Sequence, residues 1–447
     1  MKMIRPIIFV FFVFTALLFS GCSAVIFRDD AELYNILGDI YAEQTHYLDA
    51  EKNYSMALKK EPEYQLAQSN LIWAMFQARE YQKCIDFCLA LESSGEESFE
   101  SCWYLAVSYE SLLEEDKAIA SYQKALAFDE GDDSDTCHHM AILYKNKRNF
   151  EKAEEYNKLS LSYNPNNPDA IWLSKEIALI KMPLSNQLDD FITTYYLYQD
   201  TIPDFNAKLA NLKEIDENGS GDIESVLSQI IPENDYFSYL LTGSYYQEYR
   251  AIQEENSVFY LLQSENEMNF HHFKIKFFSP KTGFEFISLA EQIQDKQDSV
   301  LVLDLRNNSG GDMKSANDIL DFLLGQCSTC SFIDKDGYSS SYYSDGDKVA
   351  FDQIFVLTDR NTASAAEFLA LGLKTFNSNT TIIGETTFGK GVCQYVFDSP
   401  ENGFALFLVN SYWNVRENNI GFYGITPDVE VKSQDDYEQA ILESIQN

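Results

Sequence analysis

Histidine is the scarcest potential catalyst in this chain. Five are present in 447 residues, at positions 46, 138, 139, 271 and 272, and none lies beyond His272. A Ser-His-Asp triad therefore has no base to draw on in the last two-fifths of the sequence. His271 and His272 are adjacent in a strand-like stretch, so their side chains point to opposite faces and cannot share a metal. No HExxH or paired-cysteine zinc pattern occurs, and Cys327-x-x-Cys330 offers too few ligands for a metal site. Nothing in the chain implies a cofactor. Positive charge is scarce as well, with 33 Lys and Arg against 70 Asp and Glu and a net charge of −37. That balance repels a polyanion and excludes nucleic acid as a partner, leaving a solvated acidic surface.

What is present begins with a leader. Lys2 and Arg5 precede an apolar run over 7–19, which ends Leu18-Phe19-Ser20-Gly21-Cys22. A positive start, an apolar core and small residues before a cysteine resemble a bacterial lipoprotein signal over 1–22. The resemblance implies that Cys22 becomes the acylated mature N-terminus and that a lipid anchor holds the protein to a membrane of the bacterial cell envelope. A plain cleaved signal and an uncleaved anchor are the alternatives, and each of them exports the chain. Export permits disulfides. Without Cys22 seven cysteines are left, so a monomer keeps at least one thiol unpaired, and Cys327 and Cys330 form either a strained surface loop or two free thiols.

Residues 23–182 repeat themselves. Ala50, Cys84, Ala118 and Ala153 recur at a period of about 34 residues. Tyr41, Phe76, Tyr109 and Tyr144 form a second column, and Ala57, Leu91, Ala125 and Ser160 a third. Small residues at this period, with aromatics between them, resemble tetratricopeptide repeats: four helix pairs, with 169–181 as a capping helix. Pro62 and Pro165 fall where second helices should stop. Such a solenoid presents a concave surface suited to a protein partner or substrate, or serves as a rigid spacer from the membrane. Residues 183–256 read as a helical connecting segment, with helices over 189–197, 206–212 and 223–231 and a turn at 218–221.

From 257 to 447 strands and helices alternate, which argues an α/β core. A buried strand over 353–359 leads into Asn361-Thr362-Ala363-Ser364-Ala365-Ala366-Glu367, and helical spacing follows. Thr362 is the expected cap, which puts Ser364 in the first helical turn, where free amides favour an oxyanion. A second strand at 380–384 precedes Glu385-Thr386-Thr387-Phe388-Gly389-Lys390-Gly391. Serine with a lysine is a workable nucleophile–base pair if desolvation lowers the lysine from about 10.4. Phe388 is the expected apolar wall.

These two motifs, together with Leu303-Asp304-Leu305-Arg306-Asn307-Asn308-Ser309-Gly310-Gly311 and Gly424-Ile425-Thr426-Pro427-Asp428, resemble the C-terminal processing (tail-specific) serine peptidases. The resemblance covers roughly 257–431. It implies a crotonase-like core of ββα units and a serine endopeptidase acting on envelope or secreted proteins. Ser364 would be its nucleophile and Lys390 its general base, with Ala365 and Gly310 or Gly311 as oxyanion donors and 424–428 as a closing strand. It also implies a polar residue that orients the lysine, at Gln394 or Glu367, and strand alternation from Lys390 favours Gln394. Many members carry a PDZ domain for substrate C-termini, but its glycine-rich carboxylate-binding loop and following apolar strand are missing here. The alternative to an active enzyme is a catalytically silent peptide-binding or scaffold lipoprotein of the same fold.

Overall fold

The computed structural model describes residues 30–128, 133–213, 223–253, 255–265, 268–337, 339–346, 348–433 and 436–446. The leader, with Cys22, and the turn expected at 218–221 lie outside the described residues. The described chain falls into two compact units divided after Gly95.

The first unit is two helix pairs, α1 Ala31–Glu43 with α2 Tyr47–Lys60 and α3 Gln65–Gln77 with α4 Tyr81–Ser94. Asp30 starts α1 by accepting the Leu33 amide at 3.0 Å, which satisfies one of the helix's unpaired donors. Ala50, Ala57, Cys84 and Leu91 all face the interior, as small and apolar residues at helix contacts must. The second unit continues with α5 Phe99–Ser111, α6 Glu115–Ala125, α7 Asp133–Asn146, α8 Phe150–Tyr163 and α9 Pro168–Ile180. Its counterparts Ala118, Ala125, Ala153 and Ser160 are buried in the same way. A backbone feature keeps the period too. Thr45, Arg79, Leu113 and Arg148 adopt φ of 62°, 61°, 59° and 57°, one in each turn within a helix pair. Four non-glycine residues in the left-handed region, at the same place in each pair, mark one turn geometry used four times.

Helices α10 Leu184–Tyr195, α11 Phe205–Ala210 and α12 Ile223–Ile230 occupy the connecting segment close to where periodicity put them. Their apolar faces, with Leu188, Ile192, Leu209, Val226, Leu227 and Ile230, close over Phe404, Leu406 and Leu408 of a five-stranded sheet. That sheet runs β1 Tyr239–Thr242, β10 Phe404–Asn414, β5 Cys327–Asp334, β6 Ser339–Ser344, with β9 Val392–Ser399 also on β10. The connecting segment is therefore part of the sheet: β1 pairs antiparallel with β10 from Tyr239 opposite Phe407 to Thr242 opposite Phe404.

A second sheet of six strands carries the α/β core in the order β11 Val429–Glu430, β8 Thr380–Gly384, β7 Gln353–Thr358, β4 Ser299–Asp304, β3 Met268–Ile275, β2 Val258–Glu265. All neighbours are parallel except the β2–β3 hairpin. Central strands β4 and β7 are apolar between their ends, over Val300–Leu303 and Ile354–Leu357, as a sheet covered on both faces requires. Helices α14 Thr282–Glu291, α15 Met313–Leu323 and α16 Ala365–Phe376 pack on one face, and α17 Tyr437–Gln446 on the other; α13 Gly243–Ile252 follows β1. His271 and His272 lie in β3, where the Tyr260 hydroxyl meets His271 Nδ1 at 2.8 Å.

Two expectations need correction. Residues 424–428 are not themselves a strand: they are a loop in which Asp428 accepts the Ile382 amide at 2.9 Å, and the strand that closes the sheet is Val429–Glu430. Cys327 and Cys330 sit in strand β5 rather than in a surface loop. Of the two readings left open for them, two free thiols is the one found, and Cys137 and Cys393 are free as well.

Candidate active site

Strand β7 ends at Thr358, and the turn that follows is tied before α16 can begin. Asp359 accepts the amides of Asn307 and Asn361, each at 3.0 Å, joining this turn to the one after β4. Thr362 does not cap the helix. Its hydroxyl donates to the Leu305 carbonyl at 2.9 Å and accepts the Asp359 amide at 3.0 Å, so it is spent on the turn. Ser364 itself is the N-cap residue, with φ 55° and ψ −119°. A serine held there stores strain of order 1–3 kcal/mol and persists only where neighbours over-determine it. Two bonds do so: the Ala363 amide donates to the Asn308 carbonyl at 2.9 Å, and the Ser364 amide donates to Glu367 Oε2 at 2.8 Å.

Glu367 is fully buried, and its carboxylate is met by donors. Beside Ser364, its carboxylate accepts the Thr387 hydroxyl at 2.5 Å and the amides of Gly389 and Lys390 at 2.7 and 2.9 Å. One carboxylate thus clamps the serine's backbone to the lysine's backbone. The expected alternative, Glu367 orienting the lysine through its ammonium, is not what this geometry does.

The Lys390 amine instead donates to Gln394 Oε1, and Gln394 Nε2 donates to the Phe237 carbonyl. Burial pulls the Lys390 pKa down to about 8, against smaller opposing effects of Cys393 and Glu367. At pH 7.5 that leaves roughly a quarter of the amine neutral, where the unperturbed group has about one part in a thousand. The ring beside the amine is not Phe388, which is 55% exposed, but Phe237, whose centroid is 5.4 Å from Nζ. The Trp413 indole, fully buried, donates to the Lys390 carbonyl at 3.0 Å and fixes the loop from below.

The Gly310–Gly311 pair sits against the serine. A Cβ on Gly310 (φ 94°) would come within 2.7 Å of both the Ala363 carbonyl oxygen and Ser364 Cβ, and within 2.9 Å of the Ala365 nitrogen. On Gly311 (φ 134°) it would lie 2.0 Å from the Phe278 carbonyl oxygen. Asn308, fully buried, shapes this turn by donating to the Ile275 carbonyl and accepting the Gly310 amide, at 2.9 and 2.8 Å. The amides of Gly311 and Ala365 donate to none of the described residues.

Ser364, Lys390, Gly310, Gly311 and Gln394 all line one cavity of about 880 Å³. Tyr195, Tyr239, Phe278, Phe332, Tyr342 and Phe407 give it an aromatic wall. Every expected site residue in the described chain is therefore gathered in one place, counting Glu367 and Ala365, which sit behind it. Sequence reading missed Phe237, Asn308, Asp359 and Trp413. The first lies far upstream in a segment without a motif. Asn308 and Asp359 stood inside or beside the motifs but carry no charge pattern that announces a backbone anchor.

Residues 271–431 match the model of Peptidase family S41. A carboxyl-terminal-processing protease of Picosynechococcus sp. is 31% identical over 189 residues, covering 42% of this chain and 45% of that protein. Carboxy-terminal processing protease CtpB of Bacillus subtilis is 28% identical over 162 residues, covering 36% and 34%. Among solved structures, the photosystem II D1 C-terminal processing protease aligns at 27% identity and a TM-score of 0.33, over 40% of this chain and 48% of that one. The chain thus spans less than half the length of these relatives.

Proposed function

We propose that the protein, whose residues 271–431 match the model of Peptidase family S41, is a serine endopeptidase in which Lys390, rather than a histidine, is the general base for Ser364. The observation that carries this reading is a single cavity holding a strained serine and a buried lysine whose pKa is pulled down to about 8. Neutral Lys390 takes the Ser364 proton as Oγ attacks the peptide carbonyl carbon. Negative charge gathers on the carbonyl oxygen, within reach of the Ala365 amide at the start of α16 and the uncommitted amide of Gly311. The Lys390 ammonium then protonates the leaving amine. Water, deprotonated by the same amine, releases the acyl group as a carboxylate and restores the serine. Gln394 orients the amine, and Glu367 holds the two backbones in register.

The aromatic wall suits extended, unfolded segments of protein substrates, consistent with a processing role. The 34-residue periodicity and the repeated left-handed turn support a tetratricopeptide solenoid that recruits substrate or partner, preceding a crotonase-like core. The leader supports export and a lipid anchor at Cys22, with the protein working in the cell envelope.

Proteomics of the cell envelope tests the reading. In a strain carrying Ser364→Ala, unprocessed precursors should accumulate that wild type cleaves, and purified wild type should cut them while the variant does not. Identical protein termini in both strains, with equal cleavage in vitro, would overturn it.

A further inference from the structure

The base of this site is finished by a residue outside the region that matches the peptidase family. Phe237 belongs to the connecting segment, just before β1. Its backbone carbonyl accepts from Gln394 Nε2. An amide has one donor end and one acceptor end, so engaging Nε2 leaves Oε1 turned to the Lys390 amine, where it is found. The Phe237 ring lies beside the same amine and is itself braced, stacked on Phe422 at 6.1 Å and edge-on to Phe388 at 6.4 Å.

The turn that delivers Phe237 is built for position. Asp235 Oδ1 accepts the amides of Phe237 and Ser238 at 3.2 and 3.1 Å, while its Oδ2 accepts the Tyr196 hydroxyl at 2.8 Å. Ser238 Oγ accepts the Val409 amide at 2.9 Å, and Tyr239 pairs with Phe407 in β10. The segment is thus fastened to the sheet on either side of the residue that reaches the base.

We propose that Phe237 is a positioning residue for the base: its carbonyl sets the Gln394 amide toward Lys390, and its ring keeps water from the lysine amine. This rests on the reading of Ser364 and Lys390 as nucleophile and base. The ring acts in two opposed ways. Its face attracts an ammonium, by about 2 kcal/mol at a desolvated site, roughly one and a half pKa units. Its bulk excludes water, and burial is the largest influence on this amine, lowering it from 10.5 to about 8. Exclusion therefore wins. The titratable groups facing Lys390 are Glu367 from α16 and Cys393 from β9, both of which favour the ammonium, so the lowering must come from apolar cover.

The test is the rate at which a fluorophosphonate probe labels the full-length protein between pH 6 and 10. Wild type should show a midpoint near pH 8. Phe237→Ala should move it up by about one unit, an eightfold loss of rate at pH 7.5, and Phe237→Leu should move it back. Asp235→Ala, which frees the turn, should shift it in the same direction, although losing a carboxylate elsewhere would lower a lysine pKa. A purely structural role would scale the rate at every pH and leave the midpoint where it was. Unchanged midpoints in Phe237→Ala and Asp235→Ala would overturn the proposal while leaving the serine–lysine reading intact. A wild type that the probe never labels at Ser364 would overturn both.

Discussion

Replacing Glu367 probes the clamp on which the site is built. Its carboxylate accepts four donors, the amides of Ser364, Gly389 and Lys390 and the hydroxyl of Thr387. The Thr387 hydroxyl cannot simply turn away, because its oxygen already accepts the Ile425 amide at 2.7 Å. Glu367→Ala leaves all four donors in a buried pocket without an acceptor. Each unmet donor costs about 1–3 kcal/mol. If entering water satisfies half of them, the loss is still on the order of 4 kcal/mol, a large share of the 5–15 kcal/mol typical of a folded domain. Glu367→Gln is gentler. Its oxygen keeps the Ser364 and Lys390 amides, and its new NH2 can donate to the Thr387 hydroxyl oxygen but faces the Gly389 amide nitrogen to nitrogen, a cost of about 2 kcal/mol. Urea unfolding followed by fluorescence reads both, since buried Trp413 donates to the Lys390 carbonyl. In molecules that stay folded, losing the carboxylate's charge lets Lys390 shed its proton at lower pH, because Glu367 favours the ammonium. Both variants unfolding within about 0.5 kcal/mol of wild type, the range of ordinary surface changes, would refute the clamp.

Three further outcomes follow from the same geometry. The active form carries a neutral Lys390, so peptide hydrolysis should be weak at pH 6, rise through about pH 8 and level off above it; a rate flat from pH 6 to 10 would contradict this. Gly310→Ala should abolish turnover and also lower stability, by about 1–3 kcal/mol. Its Cβ would meet the Ala363 carbonyl oxygen and Ser364 Cβ at 2.7 Å at a φ that disfavours side chains, and Michaelis kinetics beside a melting curve separates the two effects. Cys393 lines the cavity, yet burial pushes its thiol up to about 12. Iodoacetamide at pH 7.5 should therefore modify it slowly in the folded protein and at least tenfold faster in urea, as peptide mapping would report.

Most of the chain was legible wherever periodicity or a motif was locally complete. A 34-residue spacing of small residues found the helix pairs because each must pack closely on the next, and apolar runs found β4, β7 and β8 because both sheet faces are covered. The motifs brought Ser364, Lys390, Gln394 and the glycine pair to one cavity. What stayed hidden depends on the geometry of a turn or on distant contacts. Thr362 satisfies the rule for a helix cap, but its hydroxyl is committed to Leu305, and the cap position passes to a serine with positive φ. Phe388 stands two residues from the lysine and points outward, while Phe237, more than 150 residues away in sequence, covers the amine. Local spacing has no means of expressing that contact, because β1 is short and its partner β10 comes late in the chain. Glu367 could be read as a capping residue or as a partner of the lysine; only the fold reveals that it binds both backbones at once.

The most direct measurement identifies the atom that becomes covalently bonded. Wild type and Lys390→Met are treated with a fluorophosphonate at pH 8.5, and the adduct is mapped by tandem mass spectrometry while its rate of formation is followed. The account predicts a single adduct on Ser364 in wild type, formed at least about 100-fold more slowly without the lysine, the usual worth of a general base. An adduct on another residue, or labelling of Lys390→Met at the wild-type rate, would contradict it.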